Sequence, residues 1–477
     1  MERAEAEAIY EQGREAAVGV LLALSARIDA QDAQIAKLVA RVEELERRLS
    51  RNSQNSSTPP SQDPPGAPER KRGKRSGRKQ GGQPGHPGHG RPLFARGELD
   101  RVIDHWPERC GCGHCFSDEE RNPCGSPARH QVAELPAIAV ELVEHRLQRL
   151  RCPECGERTT APLPVAVPAG AFGPRLEAAV ATLSVRNRLS RRDLVELLDE
   201  LFGCALATGT VDAILQRTAA ALAAPYESLR DEIQRAASVN VDETGWRLRG
   251  GKRTLWGAFS EQAAVFRIAP DRHEREARAL LGERFAGIVG SDRWWAYNTL
   301  DPANRQVCWS HLIRDFTFHA EGSAAQKQFG EAGLAIAKRL FESWEQFQDD
   351  GDREALIIRV APLKRELHAL LLHGSQGKRQ KRTWGLAKNL LKIWPALWTF
   401  TTVPGVEPTN NAAERGLRGA VIYRKLSLGS QSHAGERMIE RLLSVSQTCR
   451  LQRRSLFAYL ADVLTAKARD DPVPLPI

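Results

Sequence analysis

The fold is decided by the stretch from residue 238 to residue 292, which begins Ser238-Val239-Asn240-Val241-Asp242 and ends Gly287-Ile288-Val289-Gly290-Ser291-Asp292. Between these segments, the β-rich runs 254–259 and 264–268 predict two more strands, and residues 274–281 predict a helix. A meander of three strands, then a helix and a buried strand ending in Asp, is the order of a ribonuclease-H-like α/β sheet. We therefore predict such a core over residues 238–320.

Two acids stand at strand ends in this core, Asp242 after the first strand and Asp292 after the fourth. These strands are neighbours in such a sheet, and a third acid, Glu414, lies early in a helix that Thr409 or Asn410 caps. Clustered carboxylates repel one another unless cations lie between them, and hard oxygen ligands select Mg²⁺ or Mn²⁺. Two such ions can activate a water or a DNA 3′-hydroxyl for phosphoryl transfer. Taken singly, each acid is more often a helix cap or a surface charge than a metal ligand.

Neighbouring acids compete for these roles. Glu243 follows Asp242 directly, but consecutive strand residues point to opposite faces, so only one of the two can face the metal ions. Asp301 and Asp315 are alternatives to Asp292, although neither ends an obvious buried strand.

The rest of the C-terminal half divides around this core. Residues 321–405 are almost purely helical and predict an insertion. Residues 406–450 return to the core with the helix of Glu414, and residues 451–477 form a C-terminal helix and tail. We therefore predict a multidomain α+β protein.

Residues 169–237 predict a helical region that contacts DNA. A helix capped by Ser190 ends at Gly203, and a second helix opens at Thr208-Gly209-Thr210. This order suggests a helix-turn-helix, in which Thr208 and Thr210 would lie at the start of the helix that enters the major groove. An ordinary helical hairpin has the same pattern.

Residues 1–50 predict one long helix with a narrow apolar seam. Its positions alternate in steps of three and four: Leu21, Leu24, Ile28, Gln31, Ile35, Leu38, Val42, Leu45 and Leu49. Such a heptad favours a coiled coil and therefore a homodimer or higher homo-oligomer. The alternative is an amphipathic helix docked on its own chain.

Residues 51–95 predict a disordered, basic linker, because Asn, Ser, Gln, Pro and Gly dominate it. Its basic residues are Arg70, Lys71, Arg72, Lys74, Arg75, Arg78 and Lys79. Such a cluster attracts DNA phosphates by releasing counterions. A merely solubilising linker is the alternative.

Residues 96–168 predict a zinc ribbon. Cys112-Gly113-His114-Cys115 and Cys152-Pro153-Glu154-Cys155 are two knuckles, each of which aims two thiolates at one point, and four thiolates suit one structural Zn²⁺. Residues 130–135 and 139–150 predict strands between them. A redox role is the alternative, Cys110 could replace Cys112 as a ligand, and Cys124 is a spare thiol.

Composition limits the class of protein. The 477 residues carry 69 Lys and Arg against 59 Asp and Glu, a net charge of +10 that favours a polyanionic partner. No apolar stretch approaches the ~20 residues that span a bilayer, and the N-terminus is too polar for a signal peptide. We therefore expect a cytoplasmic, nucleoid-associated bacterial protein without a membrane partner.

Several motifs resemble those of bacterial insertion-sequence DDE transposases of the insertion-sequence-sixty-six family, in family order along nearly the whole chain. They are Ser53-Gln54-Asn55-Ser56-Ser57, Gly81-Gly82-Gln83-Pro84-Gly85-His86, the zinc knuckles, Val241-Asp242-Glu243-Thr244-Gly245-Trp246, Cys308-Trp309-Ser310-His311-Leu312 and Asn410-Asn411-Ala412-Ala413-Glu414-Arg415-Gly416-Leu417-Arg418. The resemblance implies that Asp242, Asp292 and Glu414 are the acidic triad. After the second acid the family usually has a small residue and a Tyr; this chain has Arg293-Trp294-Trp295-Ala296-Tyr297, in which the Tyr is kept and the Trp pair is bulkier.

The resemblance implies a transposase that binds insertion-sequence ends and performs strand cleavage and strand transfer on double-stranded DNA, with small companion proteins. His311 and Arg314 follow a predicted fifth strand and would contact the scissile phosphate or a carboxylate. The alternative is that they are polar surface residues that cap a helix. Arg415 and Arg418, beside the third acid, would grip phosphate. The alternative function is a zinc-ribbon DNA-binding regulator or a decayed transposase. A third possibility is a ribonuclease H that acts on hybrid duplexes, but this function does not explain the predicted zinc ribbon and coiled coil.

Overall fold

The computed structural model describes residues 13–49, 92–136, 138–377 and 380–477, together with Ala4, Ala8, Tyr10 and Glu11. These residues fall into two compact units. The larger contains the N-terminal helix, His145–Val195 and Leu206–Ile477, and the smaller contains the described part of Glu69–Glu144 together with Glu196–Ala205. Among the described residues, no helix is both long and apolar enough to cross a bilayer.

The N-terminal helix α1 spans Arg14–Leu49, as the sequence predicts for this region. The seam side chains Leu21, Ile28, Ile35, Leu38 and Val42 are each more than half exposed. The helix therefore carries an exposed apolar row, and its self-association stays a prediction.

Two short strands, β1 (Arg149–Arg151) and β2 (Arg158–Thr160), pair antiparallel on either side of the Cys152–Cys155 turn. The longer strands predicted at 130–135 and 139–150 are wrong, since residues 130–135 and 139–148 form no strand. Val132, Leu135 and Leu142 are 76%, 79% and 89% exposed, so this segment has no packed face that a strand would bury.

The helical region consists of α2 (Pro174–Val185), α3 (Arg191–Phe202), α4 (Thr208–Ala221) and α5 (Ala223–Arg235). Ser190 caps α3 as predicted, because its hydroxyl accepts a hydrogen bond from the Asp193 amide at 3.2 Å. The residue before α4 is Ala207, whose side chain supplies no capping hydrogen bond. The buried face of α4 comprises Val211, Ile214, Leu215, Thr218, Ala219 and Ala221.

A mixed five-stranded sheet forms the centre of the larger unit. Its strands are β3 (Ser238–Leu248), β4 (Gly251–Phe259), β5 (Ala264–Ala269), β6 (Ile288–Ser291) and β7 (Arg305–Val307), with α6 (Glu274–Leu281) between β5 and β6. The order across the sheet is β5-β4-β3-β6-β7, with β3, β4 and β5 antiparallel and β6 and β7 parallel to β3. This α+β arrangement is consistent with the predicted ribonuclease-H-like core.

Strand β3 is longer than the sequence predicts. Asp242 does not end it, because the strand continues to Leu248 and pairs with β4 as far as Leu248↔Gly251. Arg249 and Gly250 close this hairpin with positive φ angles of 48° and 81°, the backbone form that suits the twist of two-residue hairpins. The antiparallel partner extends β3 past the point where its parallel neighbour β6 stops.

A helical excursion follows β7. It begins with α7 (Trp309–Ala320) and continues through α8 (Ala324–Asp350), α9 (Arg353–Gln376), α10 (Lys381–Lys392) and α11 (Thr399–Thr402). Trp398 is only 5% exposed in its core, and Trp344 and Trp394 pack against that core. The Trp309 amide donates to the Pro408 carbonyl at 2.9 Å, so the excursion returns to its starting point.

Three helices complete the chain: α12 (Asn411–Ser427), α13 (His433–Leu451) and α14 (Leu456–Ala468). Helix α12 packs on β3 and β4, α13 on β5, and α14 on α2. Gly416 lets α12 approach the sheet, because a Cβ there would lie 2.4 Å from the Phe259 ring.

Candidate catalytic site

Asp242 and Asp292 lie at adjacent positions of neighbouring strands. The parallel register between β3 and β6 pairs Val239 with Val289 and Asn240 with Gly290. Continued by two residues, this register sets Asp242 opposite Asp292, just where β6 ends. The predicted adjacency of the strands is therefore confirmed, although Asp242 lies within its strand rather than at its end.

The loop after β6 fixes the backbone around Asp292. The Asp292 carboxylate accepts a hydrogen bond from the Trp294 backbone amide at 2.8 Å. The backbone carbonyl of Asp292 accepts a second one from the Arg305 guanidinium at 2.7 Å. Arg305 is 1% exposed and also donates to the Ser291 hydroxyl at 3.0 Å. Burial lowers the pKa of Arg305 to about 10, so it is still a cation at neutral pH.

Glu414 lies in the first turn of α12 and is exposed. Asn410 precedes this helix, but its side chain does not cap it. Instead the Asn410 amide group donates to the Val241 carbonyl at 2.8 Å, and its backbone amide donates to the Cys308 sulfur at 3.2 Å. Asn410 thus joins the start of α12 to β3, one residue before Asp242, and to the end of β7.

Electrostatic repulsion acts between the three acids. Burial raises the pKa of Asp242 well above its ordinary range, and the charge of Glu243 beside it adds to the rise. The Asp292 and Glu414 carboxylates also raise it, so both lie within electrostatic range of Asp242. A cation bound between these carboxylates would reduce their mutual repulsion, and carboxylate oxygens are suitable ligands for Mg²⁺.

The acids do not form a closed ligand cage by themselves. In the described part of the chain, no three His, Cys, Asp or Glu side chains converge closely enough to hold a metal ion. The donor chemistry and the mutual repulsion fit a divalent cation, and the ligand set stays a prediction.

Glu243 lies on the opposite face of β3, as the alternation predicts, and is 9% exposed. Its carboxylate accepts a hydrogen bond from the buried Tyr297 hydroxyl at 2.7 Å and pairs with the Arg272 guanidinium. Burial and the nearby Asp292 charge raise the pKa of Glu243, while Arg272 opposes the rise. Glu243 therefore forms a buried polar network with Tyr297 and Arg272.

The other two candidate acids have structural roles. Asp301 accepts a hydrogen bond from the Ala303 amide at 2.9 Å and so caps a short 3₁₀ turn, Pro302–Asn304. Asp315 is on α7 and pairs with Arg293 at 2.9 Å. Neither residue ends a strand.

A cleft of about 680 Å³ opens beside Asp292. His311 and Arg314 of α7 line it, together with Trp294 and Trp295. Burial lowers the pKa of His311 to about 4, and the Arg314 charge contributes to the fall, so His311 is neutral at pH 7. Its buried Nδ1 has no hydrogen-bond partner among the described residues. The predicted pair thus lies at the site, with His311 facing inward rather than capping the helix.

The basic residues of α12 separate into two kinds. Arg415 and Arg418 are exposed, as a phosphate contact requires. Arg424 is held by β3, because its guanidinium donates to the Thr244 hydroxyl at 3.0 Å and to the Gly245 carbonyl. On α4, Thr208 is exposed and Thr210 is half-buried.

The two cysteine knuckles lie in different compact units. In the first, the Cys110 amide donates to the His114 carbonyl at 2.8 Å, and hydrogen bonds from the His114 amide and Cys110 lower the pKa of the Cys112 thiol. In the second, the Gly156 amide donates to the Cys152 carbonyl at 3.0 Å. The backbone amides of Cys155 and Glu154 lower the pKa of the Cys152 thiol.

Each knuckle therefore favours the thiolate form that binds metal. Cys110, Cys112, Cys115, Cys124 and Cys155 are exposed and free. One zinc ion shared by Cys112, Cys115, Cys152 and Cys155 stays a prediction. The basic linker residues Arg70, Lys71, Arg72, Lys74, Arg75, Arg78 and Lys79 lie outside the described residues.

Comparison with known proteins identifies the family. Residues 169–438 match the family described as Transposase IS66 family, which is more than half of the chain. The chain therefore belongs to the IS66 family of DDE transposases, as its motifs predict. Residues 1–92 match a family of unknown function (DUF6444).

Three relatives come from Sinorhizobium fredii (strain NBRC 101917 / NGR234). Uncharacterized protein y4hP is 26% identical over 420 residues, 79% of this chain and 73% of the relative. Uncharacterized protein y4jD is 26% identical over 289 residues, 55% of this chain and 56% of the relative. Uncharacterized protein y4qI is 25% identical over 238 residues, 46% of this chain and 42% of the relative. Their names give no activity, so the function follows from the family and the site.

The family implies transposition, polynucleotidyl transfer, Mg²⁺ dependence and DNA binding. The motifs did not indicate Arg305 or Arg272, and they include Tyr297 without giving it a role. Arg305 carried a signal of its own, since a cation within a short buried strand, Arg305-Gln306-Val307, demands nearby acceptors.

Proposed function

We propose that the chain binds the ends of an insertion sequence and catalyses metal-dependent cleavage and strand transfer of DNA, with Asp242, Asp292 and Glu414 as the catalytic acids. One observation carries this proposal. The elements that carry the three acids of the family motif are joined next to Asp242, since β6 pairs in parallel with β3 and the Asn410 side chain bonds to the Val241 carbonyl.

Asp242, Asp292 and Glu414 would hold two Mg²⁺ ions, for which Mn²⁺ can substitute. When bound, these ions activate the attacking hydroxyl and stabilise the leaving oxygen in phosphoryl transfer. Bound cations would offset the burial and the neighbouring negative charges that raise the pKa of Asp242. Arg305 holds the Asp292 carbonyl and fixes the backbone from which that acid projects.

The residues around the acids position the DNA backbone. Arg314 lines the cleft beside Asp292, and Arg415 and Arg418 are exposed on the helix of Glu414. Arginines bind phosphate oxygens strongly and fix the register of the duplex without reading its sequence. His311 is neutral at pH 7 and is suited to hydrogen-bond with a phosphate oxygen or a carboxylic acid rather than to attract charge.

The remaining segments serve assembly and DNA binding. The basic linker and the start of α4, with Thr208 and Thr210, would contact the insertion-sequence ends, and the zinc knuckles would stabilise the segment between them. Helix α1 would join two or more copies through its exposed apolar row. Small companion proteins are expected from the family.

The test is Mg²⁺-dependent cleavage of a duplex that carries the native end, with DNA binding measured in parallel. Asp242→Asn, Asp292→Asn and Glu414→Gln each preserve side-chain size and remove a ligand charge. Each should lower cleavage about 10³-fold or more while binding persists. Asp301→Asn is the matched control, because this acid only caps a turn.

Wild-type cleavage by Asp242→Asn or Glu414→Gln would refute the triad. Binding without any cleavage by the wild-type protein would favour the alternative function, a DNA-binding regulator or a decayed transposase.

A further inference from the structure

Two tryptophans, Trp294 and Trp295, follow the second acid closely. Trp294 and Trp295 both line the cleft beside Asp292. Trp295 is 45% exposed, although the turn that it begins, Trp295–Thr299, is anchored by Ala296 and Tyr297, which are 1% and 0% exposed. A large aromatic side chain is thus held in solvent by a rigid turn.

The neighbouring side chains fix both rings. The Arg272 guanidinium lies over the Trp294 ring, 4.3 Å from its centroid, and the Trp294 indole donates to the Arg272 carbonyl at 3.2 Å. The two indole rings are 5.8 Å apart, and the His273 ring meets Trp295 edge-on at 5.3 Å. Trp294 is therefore covered on one side, whereas Trp295 keeps exposed surface towards the cleft.

The cleft combines this aromatic surface with charges that suit a nucleic acid strand. Arg293 and Asp315 neutralise each other at 2.9 Å. Asp292 and Arg314 then remain as the charged groups of the cleft, the first for a metal ion and the second for a phosphate. An exposed aromatic ring next to a phosphate-binding arginine is the arrangement by which proteins hold unpaired bases.

We propose that Trp295 stacks an unpaired nucleobase of the DNA strand whose phosphate lies at Asp292, with Trp294, Arg272 and His273 holding Trp295 in place. This inference rests on the proposed function, because it takes Asp292 as the site of the reacting phosphate. Unstacking a base at the reacting end costs little where the duplex is already frayed, and the stacked base keeps the end open for cleavage.

The experiment uses the full-length protein without divalent metal, so that binding is measured apart from cleavage. The probes are a blunt DNA duplex and the same duplex with a short unpaired 3′ tail that carries the fluorescent base 2-aminopurine. The wild-type protein should bind the tailed duplex more tightly and quench the 2-aminopurine fluorescence, because stacking on an indole quenches it.

Trp295→Ala should remove about tenfold of the affinity for the tailed duplex and most of the quenching, and leave blunt-duplex affinity unchanged. Trp295→Phe should retain part of the affinity for the tailed duplex and part of the quenching, since a smaller ring still stacks. Trp384→Ala is the matched control, because the Lys388 ammonium already covers that ring at 4.5 Å.

Equal affinity of the wild-type protein for both duplexes, or an unchanged tail preference in Trp295→Ala, would overturn the inference. If end cleavage occurs without any tail preference, the inference fails and the proposed function stands. If the tail preference appears without Mg²⁺-dependent cleavage, the proposed function fails and the stacking site stands.

Discussion

The side-chain amide of Asn410 donates a hydrogen bond to the backbone carbonyl of Val241 at 2.8 Å, across 169 residues of sequence. The bond joins the helix that carries Glu414 to the strand that carries Asp242. Because Val241 and Asp242 are consecutive, any movement of α12 changes the separation of the two carboxylates. The buried Asn410 amide therefore helps to set the relative position of the first and third acids, together with the packing of α12 on β3 and the Arg424 bond to Thr244.

Asn410→Ala should loosen this connection. Asn410 is 1% exposed, and its loss leaves the Val241 carbonyl without that donor, which should cost about 1–3 kcal/mol of stability. Cleavage should fall more than tenfold at temperatures where the protein stays folded, since the acids lose their alignment. Asn411→Ala, at the next and half-buried position, is the control. Equal activity of the two variants by end-cleavage assay would contradict the role of Asn410.

Glu243→Gln should affect stability and the cleft more than the chemistry. The amide still accepts the Tyr297 hydroxyl hydrogen bond, but it loses the charge that holds Arg272. We expect a loss of about 1–3 kcal/mol in thermal or urea unfolding, and cleavage reduced by about tenfold, far less than for the triad amides. A loss as large as that of Asp242→Asn would make Glu243 a ligand instead.

The apolar row on α1 predicts self-association. Ile28→Asp with Ile35→Asp would place like charges across the seam, so the free protein should shift towards monomer in light scattering. Ala33→Asp with Ala36→Asp adds the same charge away from the seam and should leave the mass unchanged. An unchanged mass in the seam variant would mean that the helix does not hold the copies together.

The two cysteine knuckles predict one zinc ion per chain. Elemental analysis of the purified protein should find it, and Cys155→Ser should lose it, because three thiolates bind far more weakly than four. Cys124→Ser replaces a spare thiol and should keep the metal. Full zinc retention by a Cys112→Ser, Cys155→Ser double variant would exclude the ligand set.

Stability should depend on pH through Glu440. Burial raises the pKa of this carboxyl group from 4.5 to about 7, although the Ile268 amide donates to it at 2.6 Å. The folded chain therefore keeps a proton that the unfolded chain releases, so Glu440 makes stability fall as the pH rises from about 5 through 7.

Glu440→Gln keeps the acceptor for the Ile268 amide and removes the titration. The variant should gain up to about 3 kcal/mol over the wild type at pH 8 and nothing at pH 4. Melting temperatures measured across this range test the effect, with the exposed Glu283→Gln as control. A constant difference at all pH values would assign the effect to packing instead.

The parts of the fold that were predictable depend on local patterns. Three patterns depend only on residues close together in the sequence. They are the alternation of side chains around Asp242, the apolar run before Asp292 and the helical periodicity after residue 321. They place two acids on neighbouring strands and a third on a helix, together with the family motifs. The long excursion between β7 and α12 was likewise visible as a change of period.

What was missed depends on distant partners. The true length of β3 is set by its hairpin with β4, and the strands predicted at 130–150 fail because no face of that segment is buried. Asn410 occupies the position of a helix cap, yet its side chain donates to Val241 of β3, which is distant in the sequence. The roles of Arg305 and Tyr297 follow only from the groups that accept their hydrogen bonds, the Asp292 carbonyl and the Glu243 carboxylate.

The return of the helical excursion to its starting point, where the Trp309 amide meets the Pro408 carbonyl, has an evolutionary consequence. A segment that leaves and re-enters a core at one place can lengthen, shorten or be exchanged without moving the strands on either side. Related chains are thus free to vary greatly in size between the second and third acids, and spacing along the sequence is a poor guide for aligning them. The amide contact at the junction is the landmark that should persist.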